Sequence, residues 1–213
     1  MSTTVRLLSV NIASLQALAA ERPGVRTGIF KQPVDGAIAL HPLGLAGDAV
    51  GNRKHHGGAD QAVYLYSAAD YAWWSASLGT TCAPGLFGDN LTIDTWWPNV
   101  RIGDRLHIGD VTLELTAPRI PCATLATRMD DVRFVTRFME AARPGAYARV
   151  LEPGALEAPS RVRVEPAPGS HLTIDEAFAL WYRTPRDAAA LRAALSSPLA
   201  ARLRATFTQW SAG

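Results

Sequence analysis

The sequence has only two cysteines, Cys82 and Cys122, and they lie far apart in a chain of 213 residues. Such a pair provides neither a disulfide framework nor the closely spaced ligands of a zinc site. With so few cysteines, the reducing cytoplasm is the expected location. A single cysteine is nevertheless enough for nucleophilic chemistry or for binding a soft metal.

A strong charge of one sign is also missing. The formal net charge is +2 at pH 7, and the basic residues are scattered along the chain. Nucleic-acid binding normally requires a basic patch, so no nucleic-acid partner is predicted. Asn11, Ser14 and Gln16 interrupt the apolar stretch near the N-terminus, which argues against a signal peptide. Since no segment is long and apolar enough to span a bilayer, we expect a soluble protein.

Short strand-like segments, separated by glycine, proline and aspartate, extend from Val5 to about Val164. Val5–Ile12 has the pattern of a first strand, and residues 103–115 form a predicted hairpin that turns at Gly109-Asp110. Few helical periods occur in this region, apart from a short helix capped by Ser67 and one over residues 130–140. The pattern predicts a mainly β (α+β) protein.

The composition changes after a proline- and glycine-containing linker at residues 165–170. Three short helices are predicted near residues 173–182, 185–196 and 198–210, the first with a capping box from Thr173 to Glu176. We assign them to a C-terminal domain at residues 170–213, interpreted as a folding annex. A bundle this small is marginal alone, so it should dock on the β part or on a second subunit of a homodimer.

The segment from Thr116 to Cys122 contains the main functional candidate. Pro118 and Pro121 fix the backbone and withhold N–H donors, so the chain should leave the sheet extended rather than begin a helix. Arg119, three residues before Cys122, favours the thiolate over the thiol. From this segment alone, a functional thiolate and a small buried hydrophobic residue are equally open interpretations.

A second candidate is the polar stretch from Asn52 to Asp60. It combines three donor side chains with two glycines: Lys54, His55, His56, Gly57 and Gly58. The glycines let a backbone approach a ligand closely, and the donors suit an anionic group such as phosphate. An ordinary polar turn is the alternative, because adjacent histidines lack the spacing of two metal ligands on one helical face. Asn90 is a further candidate donor, in a loop before a predicted strand.

Five short motifs occur in the order typical of the MOSC domain family, and the three-helix tail makes the chain similar to the bacterial YiiM type of that family. The motifs are Lys31–Gly36, Gly44–Asp48, Lys54–Asp60, Gly88–Leu91 and Pro118–Cys122. The resemblance covers nearly the whole chain and implies a β-rich, barrel-like domain over residues 1–166. Asp89 departs from the glutamate that is more usual in the family, which leaves its role open.

The resemblance implies that Cys122 ligates the molybdenum of a molybdopterin cofactor. The chemistry of the residue agrees, since a thiolate is a natural ligand for a soft metal centre. The remaining cofactor contacts are expected from side chains that donate to anions and from glycines that let the backbone approach. They are Lys31, Lys54, His56, Gly57, Gly58, Asn90 and Arg119.

By analogy with the family, the protein is expected to be a molybdenum-cofactor-dependent oxidoreductase that reduces N-hydroxylated compounds, such as hydroxylamino nucleobases. The chain contains neither a G-x-G-x-x-G fingerprint nor a cysteine set for an iron–sulfur cluster, so a separate electron-donor redox protein is expected. Two alternatives stay open. One is a carrier of the molybdenum cofactor or of sulfur without turnover, and the other is a metal-free thiol enzyme that uses Cys122 and His56.

Overall fold

A computed structural model of the protein describes residues 5–19, 24–52 and 56–212. Its strands are β1 (Val5–Ile12), β2 (Gln16–Ala17), β3 (Arg26–Thr27), β4 (Gln32–Val34), β5 (Ile38–His41), β6 (Gly44–Leu45), β7 (Val63–Ser67), β8 (Leu91–Ile93), β9 (Arg105–Ile108), β10 (Val111–Pro118), β11 (Ala146–Glu152), β12 (Gly154–Leu156) and β13 (Ser160–Glu165). Its helices are α1 (Ala68–Leu78), α2 (Ala123–Arg128), α3 (Phe134–Ala141), α4 (Ile174–Tyr182), α5 (Ala188–Ser196) and α6 (Ala201–Ser211), with a 3₁₀ turn at Ala59–Gln61. None of these helices, all within the described ranges, combines the length and apolarity needed to cross a membrane.

Seven strands close into a barrel. Its order is β1, β13, β9, β10, β11, β7 and β8, and β8 pairs again with β1. The neighbouring strands are antiparallel except for β7 and β8, which are parallel, so the barrel is mixed. Since helices and strands are of roughly equal extent, the class is α+β. The prediction of a β-rich barrel followed by three helices is confirmed.

Strand β10 is buried along its whole length. Because side chains alternate across a strand, Leu113 and Leu115 fill the barrel interior while Glu114 and Thr116 lie on the other face. On that face Arg149 pairs with Glu114 at 3.2 Å. Both faces are therefore covered, and β10 is a firm support for the segment that follows it.

The three-helix tail and the barrel share one hydrophobic core. Leu172, Ala177, Leu199 and Phe207 of the tail belong to the same buried cluster as Leu115 of β10. The tail thus docks on the barrel of its own chain. The assignment of residues 170–213 to a separate domain stays a prediction, but the packing is continuous across the linker.

The tail helices begin partly as predicted. The capping box is confirmed, since the Thr173 hydroxyl accepts from the Glu176 N–H and the Glu176 carboxylate accepts from the Thr173 N–H. The predicted start of α5 near residue 185 is wrong. The helix begins at Ala188, because Asp187 caps it by accepting from the Ala189 N–H at 2.7 Å.

The predicted start of α6 near residue 198 is also wrong. The helix begins at Ala201, and its N-cap residue forms no side-chain cap of its own. Instead Asp60, from the 3₁₀ turn before β7, accepts a hydrogen bond from the Ala201 N–H at 2.7 Å. A carboxylate distant in the sequence therefore satisfies the first turn of this helix.

Candidate functional site

Cys122 lies at the junction of β10 and α2. Strand β10 ends at Pro118, and Cys122 is the N-cap residue of α2, with an extended backbone at φ −134° and ψ 169°. The predicted extended exit from the sheet is confirmed. Helix α2 was not predicted, because its six residues are too few for a helical period to be recognised in the sequence.

The surroundings of Cys122 stabilise its thiolate. Burial alone would raise the pKa of this thiol, but a hydrogen bond from His56 and the positive charge of Arg119 lower the pKa to about 6. The Leu125 backbone N–H acts in the same direction. At neutral pH the sulfur is therefore mostly ionised, which is the form that attacks electrophiles and binds soft metals.

Arg119 is a buried cation whose charge acts on the Cys122 thiol. Its side chain is 6% exposed, its guanidinium donates to the Phe87 carbonyl, and it lies 5.0 Å from the centre of the Tyr64 ring. Burial opposes its charge, yet the phenols of Tyr64 and Tyr147 and the Cys122 thiolate raise its pKa above the ordinary value. Arg119 thus provides a fixed positive charge next to Cys122.

The glycine loop brings His56 to the thiol. Gly57 and Gly58 have φ values of 69° and 89°, in the left-handed region that other residues rarely adopt. The Thr116 hydroxyl donates to the Asp60 carbonyl at 2.6 Å and so ties the loop to β10. Of the predicted residues, Cys122, His56, Gly57, Gly58 and Arg119 therefore share one region of the barrel. The predicted Lys54 and its neighbour His55 lie outside the described residues.

Lys31 forms a buried ion pair. Its ammonium is 2.5 and 2.6 Å from the two carboxylate oxygens of Asp48. Burial lowers the pKa of Lys31, the Asp48 carboxylate opposes this, and the charge of Arg119 adds to the lowering. The pair therefore borders the region of Arg119. A contact of Lys31 with a cofactor stays a prediction, and its present partner is Asp48.

Asn90 connects the Lys31–Asp48 pair to β7. Its amide donates to Asp48 at 2.9 Å and to the Asn11 carbonyl at 3.4 Å, and its side-chain oxygen accepts from the Tyr64 N–H at 3.1 Å. These bonds hold Asp48 and strand β7 in a fixed relation. A direct contact between Asn90 and a ligand is likewise still a prediction.

Asp89 is a fully buried hydrogen-bond acceptor. Its oxygens accept from the Tyr71 hydroxyl at 2.5 Å, the Thr92 hydroxyl at 2.7 Å and the Gly85 N–H at 3.1 Å. Burial raises the pKa of this carboxyl, although its hydrogen bonds oppose the shift. The geometry therefore gives Asp89 a structural role in joining α1 to the loop before β8.

Asp48, Asp60 and Arg202 were not singled out from the sequence as parts of this region. Asp48 and Asp60 each stand at the end of a family motif, which was a usable indication. Arg202 is on α6, and nothing in the local sequence relates that helix to Cys122.

The second cysteine, Cys82, has a different environment from Cys122. Cys82 is 7% exposed, and burial raises the pKa of its thiol. It packs in an aromatic cluster that includes Trp74 and Phe87.

The chain matches two family models, the MOSC domain over residues 52–164 and the YiiM-like 3-alpha helix domain over residues 172–212. It is 29% identical to YflK of Bacillus subtilis over 203 residues, which are 94% of this chain and 92% of that protein. A protein of Gibberella moniliformis named reductase is 34% identical over 137 residues, which are 61% of this chain and 24% of that protein. The crystal structure of YiiM from Geobacillus stearothermophilus is similar in fold, with a TM-score of 0.80 at 23% identity over 97% of this chain and 99% of that one.

Proposed function

This chain belongs to the MOSC domain family, and on that premise we propose that it is a molybdenum-cofactor-dependent reductase of N-hydroxylated compounds, such as hydroxylamino nucleobases. Family membership supports a function associated with the molybdenum cofactor. The name reductase of the Gibberella moniliformis relative supports oxidoreductase chemistry, although this chain spans about a quarter of that protein. The N-hydroxylated substrate is the specific part of the proposal.

The observation that carries the proposal is the thiolate of Cys122, hydrogen-bonded by His56 and placed beside buried Arg119. A thiolate is the donor type that a soft molybdenum centre prefers. Within the described ranges, no group of three or more histidine, cysteine, aspartate or glutamate side chains is arranged to hold a metal ion. The donor set therefore fits a metal that arrives with its own pterin ligands and takes one sulfur from the protein.

The anionic end of the cofactor is proposed to lie near Gly57 and Gly58. His56 and Lys54 would donate hydrogen bonds there, and Arg119 would contribute positive charge. An anion taken from water requires such charge-assisted donors. Lys31 and Asn90 would order this region through Asp48, to which both donate.

The reaction converts an N-hydroxyl compound, two electrons and two protons into the amine and water. When bound, the cofactor supplies the two-electron chemistry, while the chain supplies orientation and electrostatics. The interaction with His56 and the charge of Arg119 keep the Cys122 sulfur ionised. Arg119 keeps the region positive, which favours anionic ligands. The electrons are proposed to come from a separate redox protein.

One observation favours a second candidate function. The hydrogen bond between Cys122 and His56 is also what a metal-free thiol enzyme would use to activate its nucleophile. Such an enzyme would work without molybdenum. A carrier of the cofactor or of sulfur would bind its cargo and transfer it without reducing a substrate.

The test uses protein produced in a host that makes the molybdenum cofactor. Molybdenum is measured by elemental analysis, pterin by fluorescence after oxidation, and turnover by formation of the amine from an N-hydroxylated base with a chemical electron donor. We expect metal, pterin and turnover to occur together. Turnover that persists without molybdenum would favour the thiol enzyme, and bound cofactor without any reduction would favour the carrier.

A further inference from the structure

The aromatic ring of Tyr64, on β7, contacts the guanidinium of Arg119. The Arg119 Cζ lies over this ring, 5.0 Å from its centre, within the roughly 6 Å reach of a cation–π interaction. Both side chains are buried, with 3% of Tyr64 and 6% of Arg119 exposed. Because a cation–π interaction is stronger when water is excluded, the Tyr64 ring is a main partner of this charge.

The Tyr64 ring is itself held in place from three sides. Its hydroxyl donates to the Pro144 carbonyl at 2.8 Å, and its backbone N–H donates to the Asn90 side-chain oxygen at 3.1 Å. Tyr147 of β11 is its direct partner across the strands, and the two ring centres are 5.1 Å apart. The ring therefore has little freedom to follow a movement of Arg119.

Gly145 brings the loop before β11 close to the same ring. Its φ is 62°, in the left-handed region that favours glycine. A Cβ at this position would lie 2.5 Å from the Leu65 carbonyl oxygen and 2.9 Å from Cε2 of Tyr64, closer than van der Waals contact. Glycine thus allows the loop to approach far enough for the Pro144 carbonyl to accept from the Tyr64 hydroxyl.

A second anchor of Arg119 is the Phe87 carbonyl, which accepts from its Nη1. A guanidinium directs its N–H donors within its plane and offers its faces to aromatic rings. The Phe87 carbonyl and the Tyr64 ring therefore restrain Arg119 in different directions. Loss of the ring would leave the Phe87 bond in place but would free the guanidinium to tilt.

We infer that Tyr64 is the positioning residue of Arg119, and that its ring holds the guanidinium in the orientation that serves the cofactor. The part that concerns the cofactor rests on the proposed function, in which Arg119 contributes positive charge. An arginine side chain has many rotamers, and a charge that is already held in place loses less entropy when its ligand binds. Tyr64 then acts on the cofactor through Arg119.

Tyr66 provides a matched control on the same strand. It is fully buried, and its hydroxyl donates at 3.0 Å to the Arg143 carbonyl, next to the acceptor of Tyr64. Its ring packs against Tyr71 and Phe87, with centres 4.9 and 5.3 Å away. Tyr66→Leu therefore removes a comparable buried ring and a bond to the same loop, while the ring over Arg119 is retained.

The first experiment uses ¹⁵N-labelled full-length protein without cofactor and follows the Arg119 Nε–H signal by NMR, assigned through its loss in Arg119→Lys. Protons over an aromatic face are shielded by the ring current, so the signal should lie upfield of that of exposed Arg192. Tyr64→Leu should abolish the upfield shift, whereas Tyr64→Phe, which keeps a ring, and Tyr66→Leu should retain it. An unshifted signal in the wild type, or an unchanged one in Tyr64→Leu, overturns the inference. If Tyr64→Leu does not fold, nuclear Overhauser contacts between Arg119 and the Tyr64 ring decide, and their absence in the wild type overturns it.

The second experiment measures retained pterin after expression in a cofactor-competent host. Tyr64→Leu and Arg119→Gln should each retain severalfold less pterin than wild type, and the double variant should lose no more than Arg119→Gln alone, because Tyr64 acts through Arg119. Tyr64→Phe should restore retention, and Tyr66→Leu should match the wild type. Additive losses, or full retention in Tyr64→Leu, would overturn the cofactor part. A shifted Arg119 signal in a protein that takes up no pterin and shows no turnover would remove the proposed function, while the positioning of Arg119 by Tyr64 would stand.

Discussion

At the scale of single residues, the ionisation of Cys122 depends on two neighbours from other parts of the chain, His56 and Arg119. Its pKa of about 6 means that the thiolate predominates above that pH and the thiol below it. The thiolate is the species that reacts with alkylating agents. The reactivity of Cys122 toward alkylating agents therefore reports the electrostatics of the site in the cofactor-free protein.

We expect the rate of Cys122 alkylation by iodoacetamide to rise with pH, with a midpoint near pH 6. His56→Ala removes the hydrogen bond to the thiolate and should move the midpoint upward, toward the ordinary value of about 8.5. Mass spectrometry of labelled peptides gives the rate at each pH. Cys82 is the internal control, because burial raises its pKa and its labelling should stay slow. A wild-type midpoint near that of a free cysteine would contradict this description of the site.

The same shift has a consequence for stability. Because the folded pKa of Cys122 lies below the unfolded value, the folded state binds fewer protons between the two. The contribution of this thiolate to the free energy of unfolding is therefore complete above the ordinary pKa and is lost as the pH falls through about 6.

The buried pair of Lys31 and Asp48 is the second feature at this scale. Asp48→Asn would leave the Lys31 ammonium without its counter-charge and should lower the free energy of unfolding by roughly 3–5 kcal/mol. Urea denaturation measures the change. Asp35→Asn is the control, because Asp35 is exposed, and it should shift stability by about 0.5 kcal/mol or less. Equal stability of the two variants would show that the pair is not the support that its geometry indicates.

At the scale of elements, helix α6 depends on a cap from outside its own sequence. Asp60→Ala removes the acceptor for the Ala201 N–H and should destabilise the protein by about 1–2 kcal/mol, as for other lost N-caps. Asp60→Asn keeps an acceptor and should cost less. Hydrogen exchange at Ala201 measures the local effect. Unchanged protection at Ala201 in Asp60→Ala would contradict this assignment of the cap.

The cap of α4 is local in the sequence and the cap of α6 is not, and this difference shows what the sequence can and cannot predict. Strand β1, the turn at Gly109-Asp110 and the capping box of α4 are set by neighbouring residues, and all three are confirmed. The cap of α6 comes from Asp60, and no local pattern encodes a partner so distant in the sequence.

The same limit applies to the site. The lone thiol, the adjacent arginine and the paired glycines could be identified from residue types and spacing. The hydrogen bond from His56 to Cys122, the Lys31–Asp48 pair and the position of Arg202 depend on how the barrel closes and where the tail docks. These are tertiary contacts between residues that are distant in the sequence, and local sequence patterns do not encode them.

At the scale of the whole molecule, the barrel and the tail should unfold together. Phe207 of α6 is fully buried in the core that includes barrel residues, so Phe207→Ala should cost about 3–5 kcal/mol. Thr208→Ala, an exposed change on the same helix, should cost about 0.5 kcal/mol or less. Denaturation followed by near-ultraviolet and far-ultraviolet circular dichroism should give coincident transitions. A separate early transition of the tail would contradict a shared core.

Because the tail and the barrel share a core, removal of the tail should also affect the barrel that remains. A chain that ends near Ala167 retains Cys122 and Arg119, and retention of metal ligation by such a chain stays a prediction. It would, however, expose the barrel surface that Leu172, Leu199 and Phe207 cover. Exposed apolar surface of this kind favours aggregation.

In the proposed cofactor-dependent reduction, the Cys122 sulfur is indispensable. The measurement is the reduction of an N-hydroxylated base by cofactor-loaded wild type, Cys122→Ser and Cys82→Ser, each supplied with a chemical electron donor so that docking of a redox partner does not affect the result. Serine is nearly isosteric but is a harder donor that ionises far less readily, so Cys122→Ser should fold, retain pterin and lose turnover. Cys82→Ser should keep wild-type turnover. Full activity in Cys122→Ser would contradict the account.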